Sequence, residues 1–551
     1  MQSRRTFLAS AAAPAVLRAQ RPKDPPPNVV LIITDDQGFG DLSCHGNPHL
    51  RTPHIDSIAR GGVEFTQFHV SPVCAPTRAS LMTGRYNYRT RVVDTFLGRA
   101  MMDPEEVTLA EMLASAGYRT GIFGKWHLGD NHPMRPMDQG FQESVVHLGG
   151  GLGQPSDLPG GSSYFDPLVL HNGRPRRYNG YCTDVFTNEA IAFIEQNRSR
   201  PFFTYLATNA PHTPLEVAEE LAAPYRAQGL DDTTAKVYGM VQNLDGNVGR
   251  LLARLRKLDL EQNTILIFMT DNGPQQPRYN AGMRGRKGAV YEGGIRVPFF
   301  IRWPRRLRAG GRIGRLAAHI DVAPTLLEAC GAARPPAVDF DGVSLMPLLS
   351  GEKKPWPERT LYFQWHRGDR PEPFRASAAR GERYKLVDGK ELYDLENDPA
   401  EKADVAASNP RIVARMRKGY EEWFRDVSSS RGYDPPRIYL GTSQENPVRL
   451  TRQDWRGPKA GWGAESVGHW EVDVRAGGRY HITLSFRARG QAGAAKFRLN
   501  GAELQKPYGA AAGSVTFENV AIPPGPGRLE AMLISGASET GVHSVEVNRL
   551  G

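Results

Sequence analysis

The sequence predicts an α/β fold: a mostly parallel central sheet flanked by helices, then a small α+β region and a C-terminal β-sandwich. Three observations carry this. Four short apolar runs, continuous rather than alternating, recur between helical stretches, as strands buried on both faces do. Between about 233 and 258, Val237, Met240, Val241, Leu244, Val248, Leu251, Leu252 and Leu255 keep helical spacing. Beyond residue 437 the pattern turns to period-two alternation broken by Gly and Pro, the mark of sandwich strands. A chain of 551 residues is also too long for one simple core.

The first element is no part of the fold. Ser3-Arg4-Arg5-Thr6-Phe7-Leu8 opens a short apolar stretch, Phe7 to Leu17, followed by small residues up to Ala19-Gln20. A charged segment, an apolar segment and a cleavage zone make an export signal. The paired arginines before Thr-Phe-Leu resemble the twin-arginine type, with an ordinary secretory signal as the alternative. Residues 1 to about 20 are therefore expected to be removed. The expected partner is the Tat translocon, and the destination the periplasm or the medium of a bacterium. Pro22 to Pro27 reads as a stiff linker. No other segment is long and apolar enough for stable membrane insertion.

The four apolar runs follow, each ending in polar residues. Asn28 to Thr34 ends in Asp35-Asp36-Gln37-Gly38, and Arg119 to Gly124 in Lys125-Trp126-His127. Pro201 to Ala207 leads to Asn209 and Pro211-His212, and Thr264 to Thr270 to Asp271-Asn272-Gly273. Ligands of parallel sheets bind beyond the carboxyl ends of the strands. One such end alone reads as a turn or a helix cap. Four at the same end of a strand are hard to explain as packing, because buried charges need partners. Thr52-Pro53 opens a helix, with Thr52 as its N-cap.

Residues 340 to 430 hold short strands (Thr360 to Trp365, Tyr384 to Asp388) and a late helix (Pro410 to Phe424). The sandwich strands are read at 470–474, 480–486, 496–499, 515–522, 529–534 and 542–547. The expected domains are thus 28–335, 336–430 and 437–551.

A formal net charge of +10 favours anionic partners. The arginines are scattered rather than gathered in one tract, so nucleic acid is not expected, and most of them read as solvated surface. Cys44, Cys74, Cys182 and Cys330 are widely spaced, with no CxxC pair, and no disulfide is assumed.

The chemistry begins with Asp35, Asp36, Asp271 and Asn272. Three carboxylates and an amide oxygen at one sheet edge repel unless neutralised, and a hard divalent cation such as Ca²⁺ or Mg²⁺ does this. Cys74-Ala75-Pro76-Thr77-Arg78 places a cysteine just before a Pro-initiated helix, at the positive end of its dipole, with Arg78 one turn on. That position reads as an activated thiolate or an anion site; the alternative is a buried structural cysteine.

These residues resemble the sulfatase family, which has the alkaline phosphatase-like fold. Cys74-x-Pro76-x-Arg78 followed by Leu81-Met82-Thr83-Gly84-Arg85 is similar to its signature, with Thr77 where Ser is commoner. The likeness runs from about residue 28 to 425. It includes Gly124-Lys125-Trp126-His127-Leu128-Gly129, Arg284-Gly-Arg-Lys287-Gly, Glu292-Gly-Gly-Ile-Arg-Val-Pro298 and Glu391-Leu-Tyr-Asp-Leu395. It implies a sulfuric ester hydrolase for sulfated carbohydrate or aryl sulfates. It also implies a maturation enzyme that converts Cys74 to formylglycine, and one Ca²⁺ held by Asp35, Asp36, Asp271, Asn272 and residue 74. In the implied mechanism one hydroxyl of the hydrated aldehyde attacks sulfur, helped by Asp271. His212 or Lys287 assists the leaving alcohol. Arg78 and Lys125 hold the charge, and His127 takes the proton of the second hydroxyl so that sulfate is eliminated. Lysines, arginine, imidazoles and a divalent ion would supply the positive field an anionic transition state needs.

For further candidates a packing role is the preferred reading: His147 and Gly149-Gly150-Gly151 as a lid, His366 and Arg375 from the small region, Trp462 and Trp470 as a sugar platform. Two other functions remain open from sequence. One is phosphonate or phosphate ester hydrolysis in the same superfamily. The other is non-catalytic glycan binding by the sandwich.

Overall fold

The structure is a computed structural model describing residues 25–161, 163–352 and 356–551. The expected export signal and the start of the Pro-rich linker lie outside the described residues.

A ten-stranded sheet forms the centre. Its spatial order is Gly311–Ile313, Val63–Phe65, Phe299–Arg302, Thr264–Thr270, Asn28–Thr34, Phe202–Ala207, Arg119–Lys125, Glu143–His147, Leu168–His171 and Arg174–Arg177. The strands from Thr264–Thr270 to Glu143–His147 are parallel. Antiparallel pairing starts on either side, at Phe299–Arg302 and at Leu168–His171. The four expected strands are neighbours in this parallel block. Asn28–Thr34 and Thr264–Thr270 are buried along their whole length, which is why their sequences do not alternate. The outermost strand, Arg174–Arg177, is fully exposed and carries no apolar signal.

The expected long helix spans Asp232–Lys257, and Asp231 caps it by accepting from the Thr234 amide. The helix Pro53–Gly61 also forms, but Thr52 does not cap it. Its hydroxyl donates to Asp56 Oδ1 at 2.9 Å and accepts from the Ser43 amide, so the local side-chain network outcompetes the cap.

The small region is a four-stranded antiparallel sheet, Leu361–Gln364, Ser377–Arg380, Tyr384–Val387 and Glu391–Asp394, with the helix Pro410–Ser429 against it. One buried carboxylate, Glu292, ties this sheet to the central domain by meeting Arg380 and Lys385.

The C-terminal region is two sheets sharing one apolar core, in which Val472, Phe497 and Leu529 of one meet Leu450, Ile482 and Val545 of the other. All six expected strands appear. Four more were not legible: Ile438–Leu440, Val448–Thr451, Ala502–Tyr508 and Ser538–Gly541. They are short, or, like Ala502–Tyr508, mostly exposed on both faces. The sandwich core does not close on itself. Leu97, Met101 and Met134 of the preceding domain are buried within it.

Candidate active site

The parallel block delivers four strand ends to one edge. Asp35 and Asp36, Lys125 and His127, His212, and Asp271 and Asn272 converge there, all buried. The backbone is bent to do this: Asp36 and His127 adopt positive φ (61° and 63°), a region β-carbon residues avoid and which is commonly retained at functional sites. Gly124, the strand residue before Lys125, lies at φ 123°, where a Cβ would sit 1.9 Å from the Ala207 carbonyl oxygen.

Acids and cations alternate. Lys125 Nζ donates to Asp35 Oδ2 at 2.6 Å, and Lys287 Nζ meets Asp36 Oδ1 at 2.6 Å. Arg78 reaches Asp271 Oδ2 through Nη2 at 2.9 Å and Nε at 3.2 Å. Asn272 Nδ2 donates to Asp36 Oδ1 at 2.8 Å, and the Asp36 amide to Asp271 Oδ1 at 3.2 Å. Burial alone would raise the Asp36 carboxyl; Lys287 and His212 reverse this and hold it well below the usual range. Asp271 moves the other way, raised by burial and by the neighbouring Asp35.

Cys74 lies in this cage, where Asp35, Cys74 and Asp271 bring ligand atoms within 4.8 Å of one another. The helix starts at Cys74 itself, Cys74–Thr83, with Pro76 inside its first turn. Arg78 is committed to Asp271. Burial raises the Cys74 thiol above its usual pKa despite Lys125 and Lys287, so desolvation overrides the helix end and no thiolate is favoured.

Within the carboxylate cage, Asp35 Oδ1 and Asn272 Oδ1 are buried without a partner among the described residues. Buried polar atoms are rarely left so, and oxygen donors among carboxylates suit a hard cation. The donor set therefore fits a hard divalent cation such as Ca²⁺.

Both histidines have defined tautomers. His127 Nε2 donates to the Thr95 carbonyl at 2.7 Å, which leaves Nδ1 buried and unpartnered among the described residues. His212 Nδ1 donates to the Thr213 carbonyl at 2.7 Å, leaving Nε2 at 3.7 Å from Asp36 Oδ2. Burial lowers both, His212 to about 4, with Lys125 adding to the effect.

A cleft of about 760 Å³ opens over Cys74, His127, His212 and Lys287. Its walls include residues undervalued from sequence. A Cβ at Gly150 would lie 3.0 Å from the His127 ring, and one at Gly151 2.6 Å from the His212 ring. The glycine run therefore packs on the two imidazoles, which only tertiary contact reveals. Trp462 is 38% exposed, sits edge-on to Phe96 at 5.1 Å, and reaches the cleft from the sandwich, against the packing reading. Trp365 and Arg367 line it too. The packing reading holds for Trp470, which is buried and donates to the Thr451 carbonyl. It also holds for His366, bonded to the Glu372 amide, and Arg375, paired with Glu372. His147 is buried beside a separate cavity.

Fold and site together define an α/β hydrolase of anionic esters. The family model Sulfatase matches residues 27–332, and the model N-sulphoglucosamine sulphohydrolase, C-terminal, matches 286–423. Arylsulfatase A of Homo sapiens is 33% identical over 472 residues, 78% of this chain and 88% of that protein. N-acetylgalactosamine-6-sulfatase of Canis lupus familiaris is 31% identical over 376 residues, 62% and 69% respectively. The solved structure of Ps i-CgsB in complex with k-i-k-neocarrahexaose superposes with a TM-score of 0.67 at 30% identity, covering 74% of this chain and 95% of that one. The chain belongs to the sulfatase family, and its reaction is hydrolysis of a sulfate ester.

Proposed function

We propose that the enzyme removes sulfate from sulfated carbohydrate, or from aryl sulfates, with residue 74 matured to formylglycine and one Ca²⁺ bound. The observation that carries this is the buried cage of three carboxylates and three cations around a cysteine whose own thiol is held neutral. Asp35, Asp36, Asp271 and Asn272 would hold the ion, with residue 74 beside them. The ion supplies Lewis acidity toward the sulfate, and the hydrated aldehyde supplies one hydroxyl to attack sulfur and a second to expel sulfate.

The chain's own residues do the rest. Arg78, Lys125 and Lys287 set basic groups against the carboxylates of the site, placed to meet the charge building in the transition state. Asp271 Oδ1 accepts only a long bond from the Asp36 amide, so it is the oxygen available for the attacking hydroxyl's proton. Burial leaves His212 Nε2 without a proton in the free site; the negative charge of a bound sulfate would raise the ring so that, with Lys287, it protonates the leaving alcohol. His127 Nδ1, its lone pair free because Nε2–H is tied to Thr95, takes the proton of the second hydroxyl.

Export by the Tat translocon to the periplasm or medium, and a formylglycine-generating enzyme as partner, belong to the same proposal. They are supported by Arg4-Arg5 and by the Cys74-x-Pro76-x-Arg78 motif. We assign 28–335 as the catalytic domain, 336–430 as its small subdomain and 437–551 as an accessory sandwich.

The test is mass spectrometry of the residue-74 peptide from active protein, with paired rates on nitrophenyl sulfate and a nitrophenyl phosphonate. The expected results are an aldehyde or its hydrate and faster sulfate turnover. Full activity with unmodified cysteine, or faster phosphonate turnover, overturns the reading.

A further inference from the structure

Neither family model reaches residues 424–551, so the sandwich has no role from the family. The structure gives it one wall of the active site. Trp462 leaves the sandwich to border the Cys74 cleft. Gln453 Nε2 donates at 3.0 Å to the Thr95 carbonyl, the same oxygen that orients His127.

Past Trp462 and Gln154, which border both spaces, a second cavity of about 740 Å³ opens between the 153–160 loop and the sandwich. Arg452, Arg487, Arg489 and His543 line it against one carboxyl, Asp157. The three arginines are poorly neutralised. Arg452 is buried and bonds main-chain carbonyls, those of Val542 (2.8 Å), Gly463 (2.7 Å) and Gly541 (2.7 Å). Arg489 bonds the Thr540 hydroxyl and has a carboxylate, the exposed Glu465, only at 3.9 Å. Arg487 makes no ion pair among the described residues. Like charges crowded in a cleft raise the local potential and draw an anion. An arginine with donors to spare is suited to sulfate or carboxylate.

We propose that this cavity is a distal subsite for a polyanionic saccharide chain. Trp462 stacks on the sugar next to the one bearing the scissile sulfate, and Arg487 and Arg489 bind an anionic group on a sugar further along. The proposal rests on the carbohydrate reading above and extends it to a polymer or long oligomer carrying repeated charge. The shape agrees: the two cavities meet at an aromatic ridge, so a chain entering the catalytic cleft continues onto the sandwich.

The test compares kcat/KM of the wild type, the double variant Arg487→Ser with Arg489→Ser, and Trp462→Ala. The substrates are nitrophenyl sulfate, a multiply sulfated hexasaccharide, the same hexasaccharide with sulfate at one end only, and one with uronates in place of the distal sulfates. The double variant should lose about tenfold on the multiply charged hexasaccharide, mainly in KM, as expected for two solvent-accessible ion pairs. It should stay within about twofold of wild type on nitrophenyl sulfate, which also reports that it is folded. Trp462→Ala should lose more on every saccharide than on nitrophenyl sulfate. In wild type, removing distal charge from the substrate should cost as much as the arginine variants do; full activity on the uronate form assigns the subsite to any anion, its loss to sulfate. Equal losses on all substrates, or no loss on the charged hexasaccharide, overturns the subsite while leaving sulfatase activity standing. Turnover of nitrophenyl sulfate with none of any sulfated saccharide overturns the carbohydrate reading, and the subsite with it.

Discussion

Each active-site histidine spends one ring nitrogen on a main-chain carbonyl and keeps the other for chemistry. For His212 this assigns Nε2 to the leaving alcohol. A group that protonates a leaving alcohol matters most when that alcohol is a poor leaving group. His212→Ala is therefore expected to lower kcat on a sugar sulfate by about 10²–10⁴ and on nitrophenyl sulfate by far less. Equal losses on both would remove it from that step. Gly151 is held small by the same ring, since an added Cβ would sit 2.6 Å from it. Gly151→Ala should displace the imidazole and cost up to about 10²-fold in kcat/KM with little change in unfolding temperature. Wild-type activity in that variant would show that the ring relaxes freely.

At the scale of elements, Glu292 opens the short helix Glu292–Ile295 and reaches across to the antiparallel sheet. His69 Nε2 donates to it at 3.1 Å, Lys385 at 3.1 Å and Arg380 at 3.4 Å, all of them buried. Burial alone would raise this carboxyl, but Lys385, His69 and Arg380 hold it well below its ordinary range. A depressed carboxyl contributes its stability above the unfolded pKa, near 4.5, and loses it as pH falls below that. Glu292→Ala leaves Arg380 buried without a carboxylate and Lys385 with Glu401 alone, and should cost about 3–5 kcal/mol by denaturant unfolding at pH 7. The deficit should shrink in acid, and a deficit that does not change with pH would refute the charge argument.

At the scale of the molecule, the sandwich packs into the domain that holds the site. Leu97, Met101 and Met134 are buried in its core, and the Tyr439 amide donates to the His132 carbonyl at the joint. Truncation at residue 436 would expose those side chains and release Thr95, so the shortened protein is expected to aggregate or lose activity rather than behave as a free domain. The same joint buries Asp130 and Asp454, each with one carboxyl oxygen unpartnered among the described residues. Burial pushes Asp454 up to about 7, and burial with Asp454 nearby also holds Asp130 well above its ordinary range. Raised carboxyls bind protons more tightly folded than unfolded. Their contribution is therefore complete below the ordinary range near 3.8 and is lost as pH rises toward 7. Asp454→Asn should raise the unfolding temperature relative to wild type at pH 8 and not at pH 4. A gap that is constant with pH would sink this account.

The sequence by itself determined the parallel block and the composition of the site, because both are local. Fully buried strands must be apolar throughout, so Asn28–Thr34 and Thr264–Thr270 were legible residue for residue, and the polar groups that follow them fall at one edge by topology. Together with the resemblance to the sulfatase family, it also named the ten residues that converge there. Only the tertiary structure decided who pairs with whom. Arg78 serves Asp271, and burial outweighs the helix end at Cys74, because desolvation depends on every neighbour and not on spacing. The same limit hid the glycine packing on His127 and His212. It also hid Trp462, which shares a cleft with Cys74 across nearly four hundred residues of chain. Contacts of that separation leave no periodicity in a single sequence, since they are set by how finished elements pack.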